Sequence, residues 1–366
     1  MANVLVTGGA GFIGSNFVMH WRRLRPEDRI IVLDALTYAG SRATLNAFSG
    51  DKLFHFVHGD ICDADLVGAL FDRHKIDAVV HFAAESHVDR SIKSSTPFIR
   101  TNVQGTHNLL DAALAAWKNR TSGKRFHHIS TDEVYGSLGP DDAPFTETTR
   151  YDPRSPYAAS KAASDFLVRS YAHTFDLPTT ITNCSNNYGP YQFPEKLIPL
   201  MVVNSLAGQP LPIYGDGLNV RDWLYVEDHC AAIALVLDKG KLGETYNVGG
   251  GQEKSNIELV GLLCDEIDRR FAADKNLSGR FPDCPAAQGS RCRALMTFVK
   301  DRPGHDRRYA MCADKMSDDF GFHAQTPLGE GISRTVDWYL ANEAWWRAIQ
   351  TGAYREWIRS HYGMAY

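Results

Sequence analysis

No run of 18 or more apolar residues occurs in this 366-residue chain, so the usual signature of a membrane-spanning helix is missing. The first residues also lack a basic segment followed by a long apolar stretch, the pattern of a secretory leader. A strand-like run begins instead at Val4. Cysteine is sparse. The seven (62, 184, 230, 264, 284, 292 and 312) are odd in number and form no CxxC pair, which speaks against a disulfide framework or a zinc site. A reducing cytoplasm with mostly buried thiols, and no metal, is the expectation. Basic residues are not in surplus either: 39 against 43 acidic ones, for a formal charge of −4, which argues against a general nucleic-acid binder. Internal repeats and low-complexity tracts are absent. What remains is 44% hydrophobic, 22% charged and 11% aromatic, enough to bury a large core without disulfides or metals and long enough for two domains.

The first half alternates short apolar runs with helix-length amphipathic stretches. Val4–Val6, Ile30–Leu33, Phe54–Val57, Ala78–Phe82, Phe126–Ile129 and Thr179–Thr182 read as strands, with helices near 12–24, 63–73, 97–118 and 156–176. Val- and Ile-rich strands alternating with helices indicate a parallel sheet covered on both faces. The expected fold is therefore α/β, a Rossmann-type doubly wound parallel sheet over residues 1–183. Residues 184–366 are expected to form mainly a smaller mixed α/β domain that interleaves with the first. Within it, the spacing of Ile257, Val260, Leu263, Cys264 and Ile267 predicts a helix. The polar, irregular stretch from Ala272 to Arg293 reads as a surface loop.

The run Thr7–Gly14, TGGAGFIG, follows the first strand and opens a helix. Three glycines at that spacing mean little alone, but in this context they allow a pyrophosphate to approach the backbone at a helix N-terminus. Gly8, Gly11 and Gly14 are the glycines of that loop. Asp34 ends the second strand 20 residues after Gly14, where a carboxylate accepts hydrogen bonds from ribose hydroxyls and repels a 2′-phosphate. NAD is thus favoured over NADP. Two further strand ends, Gly59-Asp60-Ile61 and Phe82-Ala83-Ala84-Glu85-Ser86, are expected to line the same crevice.

Tyr157 and Lys161 stand four residues apart on a helix that starts after Pro156, just past the strand end carrying Thr131. A phenol with its usual pKa near ~10 is a poor base at neutral pH. A neighbouring ammonium and a cationic nicotinamide favour phenolate, which lets Tyr157 take a proton from a substrate hydroxyl while hydride leaves the same carbon.

The combination of TGGAGFIG, YxxxK and Asn186-Asn187-Tyr188-Gly189-Pro190 resembles the extended short-chain dehydrogenase/reductase superfamily, which includes nucleotide-sugar epimerases, dehydratases and decarboxylases. The likeness runs from about residue 3 to the end of the chain. Several stretches are similar to one subgroup, the nucleotide-sugar 4,6-dehydratases: LTYAG at 36–40, AAESHVDRSI at 83–92, HHISTDEVYG at 127–136, NCSNNYGPYQFPEKLIPL at 183–200, RDWLYVEDH at 221–229 and DRPGHDRRYA at 301–310. The resemblance implies dTDP-glucose as substrate, with thymidine over uridine resting on it alone. It also implies NAD contacts from Phe12, Ile13, Leu36, Thr37, Thr101 and Asn187 besides the residues above, with Lys161 also bonding the nicotinamide ribose.

Thr131-Asp132-Glu133 decides the subgroup, since epimerases similar to this chain elsewhere lack the acid pair. Loss of water across C5 and C6 of a hexose needs C4 first oxidised to a ketone, because only then is the C5 hydrogen acidic. By resemblance, Glu133 is the base at C5, Asp132 the acid for the departing 6-hydroxyl, and Thr131 bonds the sugar O4 beside Tyr157. Adjacent carboxyls disfavour double ionisation, which lets one keep its proton. Side chains alternate along a strand, so the backbone is expected to turn at Asp132-Glu133.

For the substrate, guanidinium forks match phosphate oxygens, so Arg221 and Arg302 are the candidates for the diphosphate. His305 is a further candidate for phosphate or ribose. Ser86, Asn186, Lys196 and Leu197 match family positions near the sugar and phosphates. Pro212 and Tyr214 are candidates for the base pocket, with Tyr214 able to stack on thymine. Asn256 is a candidate contact that competes with a role as helix N-cap. Related proteins pair through two helices from each subunit, so a homodimer built on the stretches 97–118 and 156–176 is expected by analogy. Neither nucleic acid nor membrane is an expected partner. Two alternatives stand beside this reading: an epimerase or decarboxylase on another nucleotide sugar, and a non-catalytic NAD-binding regulator.

Overall fold

Twelve strands are found in the computed structural model, which describes residues 1–118, 120–350, 352, 354 and 356. They are β1 (Asn3–Thr7), β2 (Arg29–Asp34), β3 (Phe54–His58), β4 (Ala78–His81), β5 (Arg125–Thr131), β6 (Thr179–Cys184), β7 (Asn186–Tyr188), β8 (Leu211–Tyr214), β9 (Val220–Tyr225), β10 (Thr245–Val248), β11 (Glu253–Ser255) and β12 (Met296–Val299). Seven of them pair in parallel in the order β3-β2-β1-β4-β5-β6-β10. Strand alternation explains why the runs are apolar throughout. Val4 and Val6 of β1, with Ile30 and Val32 of β2, face one apolar layer, while Leu5, Ile31 and Leu33 face the other. The first layer is closed by helices Phe12–Leu24 and Val226–Lys239, the second by helices Ala64–His74, Thr106–Trp117 and Pro156–Phe175.

The strand order reverses between β1 and β4. In a doubly wound sheet that point opens a crevice at the carboxyl ends of the strands, and it is there that the glycine turn lies. The chain crosses back into this layer after residue 184. Val226, Cys230 and Ile233 pack with Phe17, Val18 and Trp21, and β10 extends the sheet beside β6. The remaining second half builds its own core from helices Leu197–Leu206, Asn256–Ala273 and Leu328–Ala341, joined by the small sheets β11-β9-β7 and β12-β8. The last residues of the expected 184–366 unit lie outside the described ones.

Two expectations need correction. The stretch 97–118 is not one regular helix. Thr96–Phe98 passes into a wider π-type segment, Ile99–Gly105, before the α-helix Thr106–Trp117. Tertiary bonds hold it there. The Asn102 side-chain amide donates to Glu85 O at 3.0 Å and Ser160 Oγ at 2.8 Å, and the Asn102 backbone carbonyl accepts from the Thr106 and Ser164 hydroxyls. Nor is 272–293 a surface loop. A short helix, Asn276–Arg280, and two 3-10 turns bury Leu277, Phe281, Cys284 and Cys292 in the second core, apolar positions that polar and Gly/Pro neighbours hide in the sequence. Among the described residues, no helix is long and apolar enough to cross a membrane.

Candidate active site

The turn after β1 is packed too tightly for any residue but glycine at two points. Gly8 has φ +69°, and a Cβ there would lie 2.6 Å from Ala83 N. A Cβ on Gly14 would lie 2.2 Å from Gly8 O. Helix Phe12–Leu24 follows with Gly11 as its N-cap and no side chain capping it, so its first amides face the crevice. At the end of β2 the buried Asp34 carboxylate is aimed by two backbone amides, accepting from Ala10 N and Leu36 N at 2.8 Å each. Amides at a helix start, a side-chain-free turn and an acceptor at the second strand end are the donor set a dinucleotide requires, and this turn fits one.

A cavity of about 340 Å³ opens over the turn. It is lined by Gly8, Gly11, Phe12, Ile13, Gly14, Asp34, Thr37, Asp60, Ile61, Phe82, Ala83, Ala84, Ser86, Thr101, Tyr157, Lys161 and Asn187, all expected from sequence. Leu36 is not in that lining. Its side chain packs on the apolar layer beneath, and only its backbone amide serves the site, through Asp34. Asp60 is held at the rim by Arg100 at 3.0 Å and by Cys62 N at 2.9 Å.

At the far end of this cavity β5 stops at Thr131, and a 3-10 turn, Asp132–Tyr135, begins. The turn puts both acids on the cavity side of the sheet end. Thr131 Oγ1 accepts from Glu133 N at 3.3 Å and donates to Asp132 Oδ1 at 3.2 Å. Tyr157 comes from the next helix, whose start is fixed by Pro156 at N1 and by Ser155 accepting from Ala158 N at 3.0 Å.

The two carboxyls sit in different fields. Burial, and then the neighbouring Glu133, push Asp132 well above the carboxylate range. Burial raises Glu133 too, but Arg302, Lys196 and Arg221 all pull it back. Asp132 is therefore the more strongly raised of the two, and Glu133 the one whose charged form the surrounding cations favour. The expected lowering of the Tyr157 phenol is absent from the protein alone: burial and then Glu133 push it up. Lys161 is instead the group brought towards neutrality, by burial, to about 8.

Glu133, Asn186 and Lys196 line this cavity and also a second of about 160 Å³. The second holds Leu197, Pro212, Tyr214, Arg221, Asn256, Arg302 and His305. Arg221 is fixed by carbonyls of Val220 at 2.7 Å and Asp306 at 3.0 Å and lies 4.3 Å from the Tyr309 ring centroid. Arg302 stands 3.8 Å from Asp89, with its Nε buried and without a partner. His305 is pushed down to about 4, first by burial, and its ring meets Tyr214 edge-on at 5.9 Å. Lys196 donates to Ser86 O at 2.8 Å. Asn256 is not the helix cap: Ser255 is, in a reciprocal capping box with Glu258, which leaves Asn256 to the cavity.

Sequence reasoning missed the buried charges between the two cavities. Glu195 accepts from Arg90 at 3.1 Å and lies 3.7 Å from His87, while Asp89 faces Arg302. Tyr309 and Trp223, which wall the second cavity, were missed as well. All lie within or next to the stretches that carry the family resemblance, and that adjacency was the available signal.

The model of the GDP-mannose 4,6 dehydratase family matches residues 5–335. A dTDP-glucose 4,6-dehydratase of Xanthomonas campestris pv. campestris is 52% identical over 359 residues, covering 97% of this chain and 98% of that one. The crystal structure of a dTDP-glucose 4,6-dehydratase from Streptomyces venezuelae, with NAD bound, superposes with a TM-score of 0.84 at 47% identity, covering 95% of this chain and 99% of that one. A second, from Bacillus anthracis in complex with NAD, gives 0.82 at 42%, covering 95% and 100%.

Proposed function

The chain belongs to the dTDP-glucose 4,6-dehydratase family, and from that premise we propose that it is an NAD-dependent hydro-lyase converting dTDP-glucose to dTDP-4-keto-6-deoxyglucose and water. One observation carries the reading. A buried pair of acids in unequal fields, Asp132 raised more strongly than Glu133, lies where a cavity suited to a dinucleotide meets one suited to a nucleotide diphosphate. An epimerase has no use for such a pair.

When bound, NAD supplies an acceptor for the C4 hydride and its later return to C6. The protein supplies the proton chemistry. Tyr157, beside Thr131, takes the proton of the sugar 4-hydroxyl, and the Lys161 ammonium favours the resulting phenolate. Glu133, ionised in the field of Arg302, Lys196 and Arg221, takes the C5 proton, now next to a ketone, and gives a proton back to C5 when hydride returns to C6. Asp132, protonated by burial and by Glu133, gives its proton to the leaving 6-hydroxyl. Arg221 and Arg302 meet the diphosphate, and Pro212 and Tyr214 the base.

The protein acts in the cytoplasm on this reading, which its seven free cysteines support. It pairs with a second copy through a four-helix bundle of the segments 97–118 and 156–176. Large apolar side chains left exposed there support this: Ile99 at 52%, Phe166 at 55% and Phe175 at 49%. Light scattering at the mass of a monomer would refute the pairing. The function is tested by incubating the purified protein with dTDP-glucose and weighing the product. Loss of one water is expected, and inversion at C4 without loss of mass would overturn it.

A further inference from the structure

Past Lys161, the helix Pro156–Phe175 keeps placing ionisable residues at four-residue spacing: Tyr157, Lys161, Asp165 and Arg169. Asp165 has no part in the chemistry above, yet its side chain is wholly buried, which a carboxylate tolerates only when paired. Its Oδ2 accepts from Ser130 Oγ at 2.8 Å and from Tyr151 OH at 2.9 Å. Tyr151 is held in turn by Arg169, which donates to its hydroxyl at 2.8 Å and lies 4.8 Å from its ring centroid. Oδ1 faces His128 Nε2 at 3.2 Å, and that same nitrogen is 3.3 Å from Lys161 Nζ. One buried imidazole nitrogen thus stands between the carboxylate and the ammonium; neutral, it serves as donor to Asp165 or as acceptor from Lys161, not both at once, so the coupling between the two charges is electrostatic. The other hydrogen bond of Lys161 goes to a neutral acceptor, Ile129 O, at 2.7 Å.

The remaining ionisable groups around Lys161 come from β4, β5 and β6. His81 and His128 are kept neutral by burial, and burial pushes the Cys184 thiol up. Asp132 and Glu133, at the end of β5, serve the reacting sugar. Burial raises Asp165 as well, but Lys161 is the first influence that brings it back, and Asp165 is the first that holds Lys161 up against burial.

We propose that Asp165 is a positioning residue: acting across His128, its carboxylate is the counter-charge that keeps Lys161 an ammonium directed at the larger cavity. This rests on reading Tyr157 and Lys161 as the proton-handling pair, but its test does not need turnover, so failure of one is distinguishable from failure of the other. Lysine side-chain resonances of the cofactor-free protein are titrated by nuclear magnetic resonance, with the Lys161 signal identified by its loss in Lys161→Arg. The wild-type midpoint is expected at about 8. Asp165→Asn keeps the size and the acceptor for Ser130 and Tyr151 but removes the charge. The two charges are separated by a single imidazole nitrogen, 3.2 Å from the carboxylate and 3.3 Å from the ammonium, so the proton affinity of Lys161 should fall about tenfold or more. Asp165→Glu should restore it. A merely structural Asp165 would leave the Asp165→Asn midpoint at the wild-type value, and that result overturns the proposal. A second measurement needs no Asp165 variant. Carboxyl carbon-13 spectra of the wild type should show Asp165 ionised at neutral pH, with its midpoint rising in Lys161→Met; a protonated Asp165 at neutral pH overturns the proposal too.

Discussion

Replacing Glu133 by Gln should separate the two halves of the reaction. Glutamine keeps the shape of the side chain and removes the charge on which Arg302, Lys196 and Arg221 converge. Each of those cations retains another partner: Asp89 at 3.8 Å for Arg302, Ser86 O at 2.8 Å for Lys196, and the Val220 and Asp306 carbonyls for Arg221. The fold should therefore lose no more than about 1–2 kcal/mol, within the range of an ordinary substitution. Loss of a general base slows proton abstraction by about 10²–10⁴-fold, equivalent to roughly 3–5 kcal/mol in the barrier. Glu133 is also the first charged group raising the Tyr157 phenol, so its neutralisation makes Tyr157 a readier base and leaves the C4 step intact. The assay mixes Glu133→Gln, loaded with NAD, with dTDP-glucose. It follows reduced nicotinamide by absorbance and C5 proton exchange with solvent by magnetic resonance. Reduced nicotinamide should accumulate while C5 exchange and product fall together. Product at the wild-type rate, or equal loss of both steps, would refute the assignment of Glu133 as the base.

Tyr157→Phe should block earlier: no reduced nicotinamide should appear on adding substrate, although NAD still binds. Gly14→Ala brings a Cβ to 2.2 Å from Gly8 O, a backbone atom that cannot swing away, so the turn has to open. At about 1–3 kcal/mol for such overpacking, NAD affinity should drop about 10- to 100-fold by calorimetric titration, and unchanged affinity would contradict the cradle. Because Lys161 is lowered by burial to about 8, its ammonium is present below that pH and lost as pH rises through it. The kcat/KM of the loaded enzyme should decline on the alkaline side of about 8, and Lys161→Arg should move that limb upward.

Much of this was legible in the sequence because local chemistry dictates it. Glycines that must lie against Ala83 and against each other, a Val- and Ile-rich strand buried on both faces, and an acid closing β2 declare themselves within a few residues. What was not legible depends on distant parts of the chain. The π-type segment at Ile99–Gly105 exists because Asn102 bonds Glu85 and Ser160, which lie far from it in sequence. Strand β10 joins the sheet only because the chain returns beside β6. Cys284 and Cys292 look polar-flanked and exposed in the sequence, yet their sulfurs lie 3.7 Å apart in the second core. The cluster of His87, Asp89, Arg90 and Glu195 forms only because residues more than a hundred positions apart in the chain meet. Leu36 followed the family pattern by position, but its side chain serves the core instead of the cavity.

The central claim is that one site oxidises C4, eliminates water across C5 and C6, and returns the same hydride to C6. The most direct measurement uses dTDP-glucose carrying deuterium at C4, with product mass and label position read together. The account predicts loss of one water, with the deuterium found at C6. Deuterium retained at C4, or a product of unchanged mass with C4 inverted, would contradict it.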